Sequence, residues 1–247
     1  MLATCRQPAD CAKLRAEGLD SFALAVADPA SIAAAMDQIA ARGGRLDALY
    51  NNAAFAIPGA LEDLPTDAFR HLLDTNLIGL HALTRAVIPI MRTQGQGRIV
   101  MCSSVLGLTG MKWRGAYVAS KFALEGYSDV LRLEMAEVGI TVSLIEPGPI
   151  TSAFRRNARM QFDRWIDWPA SPRAAQYRDS LVPRLHAATD TKDRFELGPE
   201  AVTARLIHAL ESPRPRARYF VTTPTWVMAT LRRLMPTRAL DALVSRY

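Results

Sequence analysis

The stretch Arg98-Ile-Val-Met-Cys102, the helical period of residues 115–137 and then Thr141-Val-Ser-Leu-Ile145 decide the fold. They read as strand, helix and strand. Both strands are apolar along nearly their whole length, without the strict alternation of a sheet that keeps one face in water. Strands of that kind, separated by a helix, belong to a parallel sheet covered on both faces.

The same alternation extends in both directions. Leu2–Cys5 and residues 22–26, 48–50 and 218–221 read as further short buried strands, and residues 8–17, 30–42, 66–92 and 199–211 as helices. The second helix has a clear start, with Asp28 as N-cap and Pro29 at the first helical position, and a stop at Gly43-Gly44. Phe69, Leu72, Leu73, Leu77, Leu80, Leu83 and Val87 form a core stripe on the third. The expectation is one α/β domain over residues 1–247, a doubly wound parallel sheet with helices on both faces. Ligands in such sheets sit beyond the carboxyl ends of the strands. Asn51-Asn52, Ser103-Ser104 and Pro147-Gly148 each follow a strand.

From 151 to 197 the alternation lapses, and Phe154, Met160, Phe162, Trp165, Trp168 and Tyr177 are spread among arginines and prolines. A long segment of this kind reads as a substrate-binding lid over an apolar pocket, with helices simply packed on the sheet as the alternative. Trp226 and Met228 are candidates for the same wall.

Composition narrows the class. The chain has 247 residues, 49% hydrophobic and 22% charged, ordinary for a soluble globular protein. No run approaches the roughly 18 apolar residues of a membrane span. The N-terminus lacks the layout of a secretory signal. Cys5, Cys11 and Cys102 have no metal-ligand spacing, so no metal is expected, and a reducing cytoplasm fits. The net charge of +6 comes from arginine, with lysine only at 13, 112, 121 and 192. Its densest part, Arg214, Arg216, Arg218, Arg232, Arg233, Arg238 and Arg246, reads as a solvated face, with weak peripheral attachment to an anionic membrane as the alternative. No nucleic-acid motif is present.

Chemistry concentrates in Tyr117-Val-Ala-Ser-Lys121. Positions i and i+4 share a helical face, so phenol and ammonium point the same way. An adjacent ammonium favours the phenolate and is expected to lower the tyrosine from its ordinary value near 10. Ser104 lies 13 positions earlier, at the end of the preceding strand, and Asn76 interrupts the apolar third helix in Asp74-Thr75-Asn76.

Together these residues resemble the short-chain dehydrogenase/reductase family in its compact form. Asn51-Asn52-Ala53-Ala54 is similar to the family's Asn-Asn-Ala-Gly, and Cys102-Ser103-Ser104-Val-Leu-Gly107 to its serine loop. Tyr117 and Lys121 match its Tyr-x-x-x-Lys, and Glu146-Pro147-Gly148-Pro-Ile-Thr151 its Pro-Gly motif. The resemblance implies a Rossmann-like fold and hydride transfer between a nicotinamide and a carbonyl or alcohol. It implies that Tyr117 passes the proton, Ser104 hydrogen-bonds the substrate oxygen, Lys121 lowers the tyrosine and binds the nicotinamide ribose, and Asn76 holds a water in a relay to Lys121. It places Pro147, Gly148, Ile150 and Thr151 at the nicotinamide end, and Asn52, Ala53 and the Val26 backbone along the cofactor. Where family members that use NAD carry an acidic residue at the end of the strand Leu2–Cys5, this sequence has Cys5 and then Arg6, which suits the 2′-phosphate of NADP. Arg6 and the run from Ser143 to Ile150 look like the 17β-hydroxysteroid and retinol dehydrogenase branch, which implies a lipophilic carbonyl or alcohol. An NAD-linked alcohol or hydroxysteroid dehydrogenase is the alternative, as is a non-catalytic relative acting as a partner subunit. Association through the helices at 66–92 and 115–137 implies a homo-oligomer.

The sequence departs from the family at its start. The resemblance implies a strand, a Thr-Gly-x-x-x-Gly-x-Gly turn and a helix ahead of Leu2, about 25–30 residues that are not present. Loss of that central strand and helix exposes two interior edges and core worth on the order of 10 kcal/mol, against a domain stability of about 5–15 kcal/mol. The expectation is a fold around a gap, weak dinucleotide binding, and an open reading frame assigned too short, with a valine start codon read as Met1. Ala25 stands in place of the family's adenine-binding aspartate, and Ala54 in place of the last glycine of Asn-Asn-Ala-Gly.

Overall fold

The computed structural model describes residues 1–187 and 195–245. Residues 188–194 of the expected lid, and Arg246 of the basic C-terminal group, lie outside the described residues. The elements run β1 (Leu2–Cys5), α1 (Pro8–Ala16), β2 (Asp20–Ala23), α2 (Pro29–Ala40), β3 (Ala48–Asn51), α3 (Thr66–Leu73), a π turn (Asp74–Gly79) and α4 (Leu80–Gln94). They continue with β4 (Gly97–Cys102), α5 (Gly115–Ala136), β5 (Ile140–Glu146), α6 (Phe154–Trp165), α7 (Ala174–Gln176), a second π turn (Tyr177–Leu181), α8 (Val182–His186), α9 (Glu200–Glu211), β6 (Arg218–Phe220), α10 (Thr223–Leu234) and α11 (Thr237–Val244).

All strand pairs are parallel. β4 lies between β3 and β5, with Ile99 opposite Val142 and Met101 opposite Leu144, and β6 closes the far side of β5. Successive side chains of a strand point to opposite faces, and both faces are covered here. Ile99, Met101, Val142 and Leu144 pack with Leu80, Leu83 and Val87 of α4 and Leu124 and Leu131 of α5. Val100, Ile145 and Tyr219 face the other way, onto Ala209 and its α9 neighbours. This two-sided burial is why the strands carry unbroken apolar runs.

The strands of the described residues form two sheets, β1–β2 and β3–β4–β5–β6. Among the described residues β1 pairs with β2 alone and β3 with β4 alone. The smaller sheet connects through α2, which packs on α4, and through Val26, which joins the core of the larger sheet. The α2 boundary agrees with its sequence signals: Asp28 Oδ1 accepts from Ala30 N at 2.9 Å, Pro29 opens the helix, and Gly43 and Gly44 follow it with positive φ.

Within the described part of 151–197, α6 to α8 form a packed layer. Phe162, Ile166, Tyr177, Leu181 and Leu185 share a buried cluster with Ile57, Ala68 and Leu72. The Tyr177 hydroxyl accepts from Ala60 N and donates to Asp63 Oδ2, both at 2.7 Å. Trp226 is 53% exposed and meets Phe220 edge-on at 4.9 Å instead of joining that cluster.

Candidate active site

The third expected helix is α3 and α4 joined by the π turn, which widens the backbone around Asn76. Asn76 is completely buried. Its Oδ1 accepts from Phe55 N at 3.0 Å, and its Nδ2 donates to Phe55 O at 2.8 Å and to Ser120 Oγ at 3.1 Å. Ser120 Oγ donates to Tyr117 O at 2.8 Å. Asn76 therefore ties the segment after β3 to the turn of α5 that bears Tyr117 and Lys121. Both amide protons are used, which leaves one Oδ1 lone pair for a water.

Tyr117 is buried beside Ala56, Leu106 and Ala158, with the Phe154 ring edge-on at 5.3 Å. Ser104 caps a short 3₁₀ turn, its Oγ accepting from Leu106 N at 3.1 Å, and its side chain acts on the nearby Tyr117 phenol, favouring the ionised form. Lys121 Nζ lies 5.6 Å from the Tyr117 ring centroid and donates to Cys102 O at 2.7 Å. This geometry corrects the expectation that Lys121 lowers the phenol. Burial drives Tyr117 above its ordinary value, with Cys102 adding to the rise, and the opposing pull comes from Ser104 and Arg114. Burial likewise pushes the Lys121 ammonium below its ordinary value, against the pull of Cys102 and Glu125. The ammonium is aimed at a backbone carbonyl below the ring, and desolvation of the phenol wins.

The Pro-Gly motif sits against the serine loop: Val105 N donates to Pro147 O at 2.7 Å. Gly148 is required by crowding, since a Cβ there would lie 2.1 Å from Thr222 Oγ1. Ile150 pairs with Leu197, and the Thr151 hydroxyl donates to Glu196 Oε1 at 2.6 Å. Asn52 and Ala53 are exposed just beyond β3, while Asn51 is buried and donates to Thr84 Oγ1 at 2.8 Å. Arg6 directly follows β1, and Val26 lies three residues after β2. Arg6 is exposed at the end of β1 with no hydrogen bond or ion pair among the described residues; Val26 is buried with its carbonyl against Gly79. No hydrogen bond among the described residues joins these two to the Tyr117 group.

The donor set fits the nicotinamide–ribose half of a dinucleotide. Lys121 is a buried three-proton donor with one acceptor, Cys102 O, among the described residues, and such a group suits vicinal hydroxyls. No described segment presents a glycine-rich turn at a helix N-terminus for a pyrophosphate.

Sequence reasoning missed a buried ionic group behind this site. Arg218 donates through Nη1 to Glu125 Oε2 and, at 2.6 Å, to Glu146 Oε1, and through Nη2 to Asp129 Oδ2 at 2.7 Å. The solvated-face reading is thus corrected for Arg218, whose side chain is 23% exposed. Glu146 is wholly buried at the end of β5. A signal existed: Glu125 follows Lys121 by four residues on the same helical face, and Glu146 ends an otherwise apolar strand. Arg114 was also missed, although it stands three residues before Tyr117.

The family model for short chain dehydrogenase matches residues 4–162. The chain is 38% identical to the uncharacterized oxidoreductase YbbO of Escherichia coli strain K12, over 99% of this chain and 84% of that protein. It is 33% identical to human 17-beta-hydroxysteroid dehydrogenase type 1, over 83% of this chain and 60% of that protein. A solved short-chain dehydrogenase from Streptomyces avermitilis superposes with a TM-score of 0.75 at 25% identity, covering 99% of this chain and 84% of that one. A family match that runs from β1 into α6 spans both the end of β4, where Ser104 lies, and the turn of α5 that bears Tyr117 and Lys121, and the chain accordingly belongs to the short-chain dehydrogenase family, as an oxidoreductase of CH–OH groups that works with a nicotinamide dinucleotide.

Proposed function

We propose that the chain interconverts a lipophilic aldehyde or ketone and its alcohol, with NADP as the dinucleotide. The observation that carries this reading is the Ser104 hydroxyl facing the buried Tyr117 phenol above Lys121. The substrate oxygen accepts from both hydroxyls, and Tyr117 delivers its proton to that oxygen in reduction. The nicotinamide, when bound, supplies or takes the hydride at the substrate carbon. Burial raises the phenol above its ordinary value, so the buried group carries the proton that reduction consumes, which supports the reductive direction. Lys121 holds the ribose with the protons it does not give to Cys102. Asn76 fixes the α5 turn beneath both residues and offers its remaining lone pair to a water.

Pro147, Gly148, Ile150 and Thr151 form the nicotinamide end, with Asn52, Ala53 and Val26 along the rest of the cofactor. The exposed guanidinium of Arg6 supports the choice of NADP, because it is free to meet a 2′-phosphate. The apolar wall of Ala56, Leu106 and Ala158 around Tyr117 supports a lipophilic substrate, as does the likeness to a hydroxysteroid dehydrogenase. Exposed Val130 and Leu133 on α5 support a homo-oligomer, and three free thiols support a reducing compartment such as the cytoplasm.

The test is Tyr117→Phe. Removal of the phenolic proton donor lowers kcat by about 10²–10⁴-fold, with the dinucleotide dissociation constant unchanged within about twofold by fluorescence titration. Turnover within a few-fold of the parent protein would show that another group carries the proton.

A further inference from the structure

Arg114 is the last residue before α5, and its backbone is held tightly. Trp113 adopts φ 65°, a left-handed conformation unusual for a bulky residue. Its carbonyl accepts from Gly59 N at 3.0 Å, its ring lies 4.7 Å from that of Tyr177, and Gly59 pairs with Arg114. This frame sends the guanidinium into the protein. Arg114 Nη1 is fully buried and has no hydrogen-bond partner among the described residues. The charged groups that act on it are Arg184 of α8, Arg155 of α6 and the Tyr117 phenol. Arg155 and Arg184 have contacts of their own; their charges are of the same sign as that of Arg114, and among the described residues no carboxylate acts on it. Burial first, and then these two arginines, push the guanidinium down to about 10, so it stays charged at neutral pH.

A desolvated cation with an unused donor is unfavourable unless an anion completes it. Arg114 precedes Tyr117 by three residues, one turn back at the start of α5, and the phenol is among the groups that act on its charge, so the unused donor belongs to the end of the site where the substrate binds. A guanidinium fork matches the geometry of a carboxylate or phosphate. We infer that Arg114 anchors an anionic group of the substrate, which is an amphipathic carbonyl or alcohol bearing a carboxylate or phosphate against an otherwise apolar wall. This deepens the reading of the site given above and rests on Tyr117 marking the substrate's position.

Equilibrium binding tests it without turnover. Octanoate, octyl phosphate and octanol are titrated into the full chain with tryptophan fluorescence as the readout. One of the two anions is expected to bind at least about tenfold tighter than octanol, the equivalent of about 1.4 kcal/mol. Preference for octanoate assigns a carboxylate, and preference for octyl phosphate a phosphate. Arg114→Gln is expected to abolish the preference while changing octanol affinity by less than about twofold, and Arg114→Lys to retain part of it. Equal affinity for all three ligands in the parent protein overturns the proposal, whatever the variants do. A preference that survives in a folded Arg114→Gln protein also overturns it. Turnover of 8-oxooctanoate and octanal is followed in parallel by dinucleotide absorbance. Failure to reduce either would count against the hydride-transfer reading alone, since the binding result still decides the anion site.

Discussion

Replacing Glu146 with glutamine should flatten the pH dependence of stability. Glu146 is wholly buried. Burial raises its carboxyl first, the adjacent Glu125 carboxylate raises it further, and Arg218 only partly offsets both, leaving it pushed up to about 8. The charged groups facing it are Glu125 of α5 and Arg218 of β6, with Asp129 held on the other arm of Arg218. The folded value lies above the unfolded carboxylate value, so the folded chain keeps a proton that the unfolded chain has already released. The resulting stability is complete below the ordinary carboxylate range and is lost as pH rises through about 8. One such proton changes the unfolding free energy by at most about 1.4 kcal/mol per pH unit. Between pH 6 and pH 8 the parent protein should lose about 2 kcal/mol more than the Glu146→Gln variant, whose amide still presents an oxygen to Arg218 and has no proton to lose. Urea unfolding at pH 6, 7 and 8, compared at a common slope, measures this. Stability curves for the two proteins that stay parallel within about 0.5 kcal/mol would refute the assignment of a retained proton to this carboxyl.

Two further outcomes follow from the geometry. Asn76→Ala removes the three hydrogen bonds of a buried amide and strands the Phe55 backbone groups; at about 1 kcal/mol for each, the loss should be about 3 kcal/mol in chemical unfolding, and a loss below about 1 kcal/mol would contradict the clamp. Arg6→Ala should weaken NADP binding by about tenfold or more and leave NAD binding unchanged within about twofold, read by titration of both dinucleotides; tighter NAD than NADP binding in the parent protein would favour an NAD-linked dehydrogenase.

The covered parallel sheet was legible in the sequence because burial on both faces forces strands such as residues 98–102 to be apolar throughout. The face shared by Tyr117 and Lys121 follows from helical spacing alone, and the start of α2 from Asp28 and Pro29. Strand limits were less legible. Residues 22–26 read as a strand, but β2 covers Asp20–Ala23 because its register on β1 runs from Leu2–Asp20 to Cys5–Ala23; the partner, not local propensity, sets those ends.

What the sequence by itself determined is which residues are available to the chemistry and on which local face each one lies. Only the tertiary structure decided how they behave. The π turn at Asn76 holds because the Phe55 backbone and Ser120, distant along the chain, meet its amide. Tyr117 is raised instead of lowered because the apolar wall around it outweighs a lysine aimed elsewhere. Arg218 is half-buried against acidic side chains from α5 and β5, and Arg114 is left without one among the described residues. These outcomes depend on long-range packing, which sets desolvation and the distance between charges; neither quantity is encoded in spacing along one strand or helix.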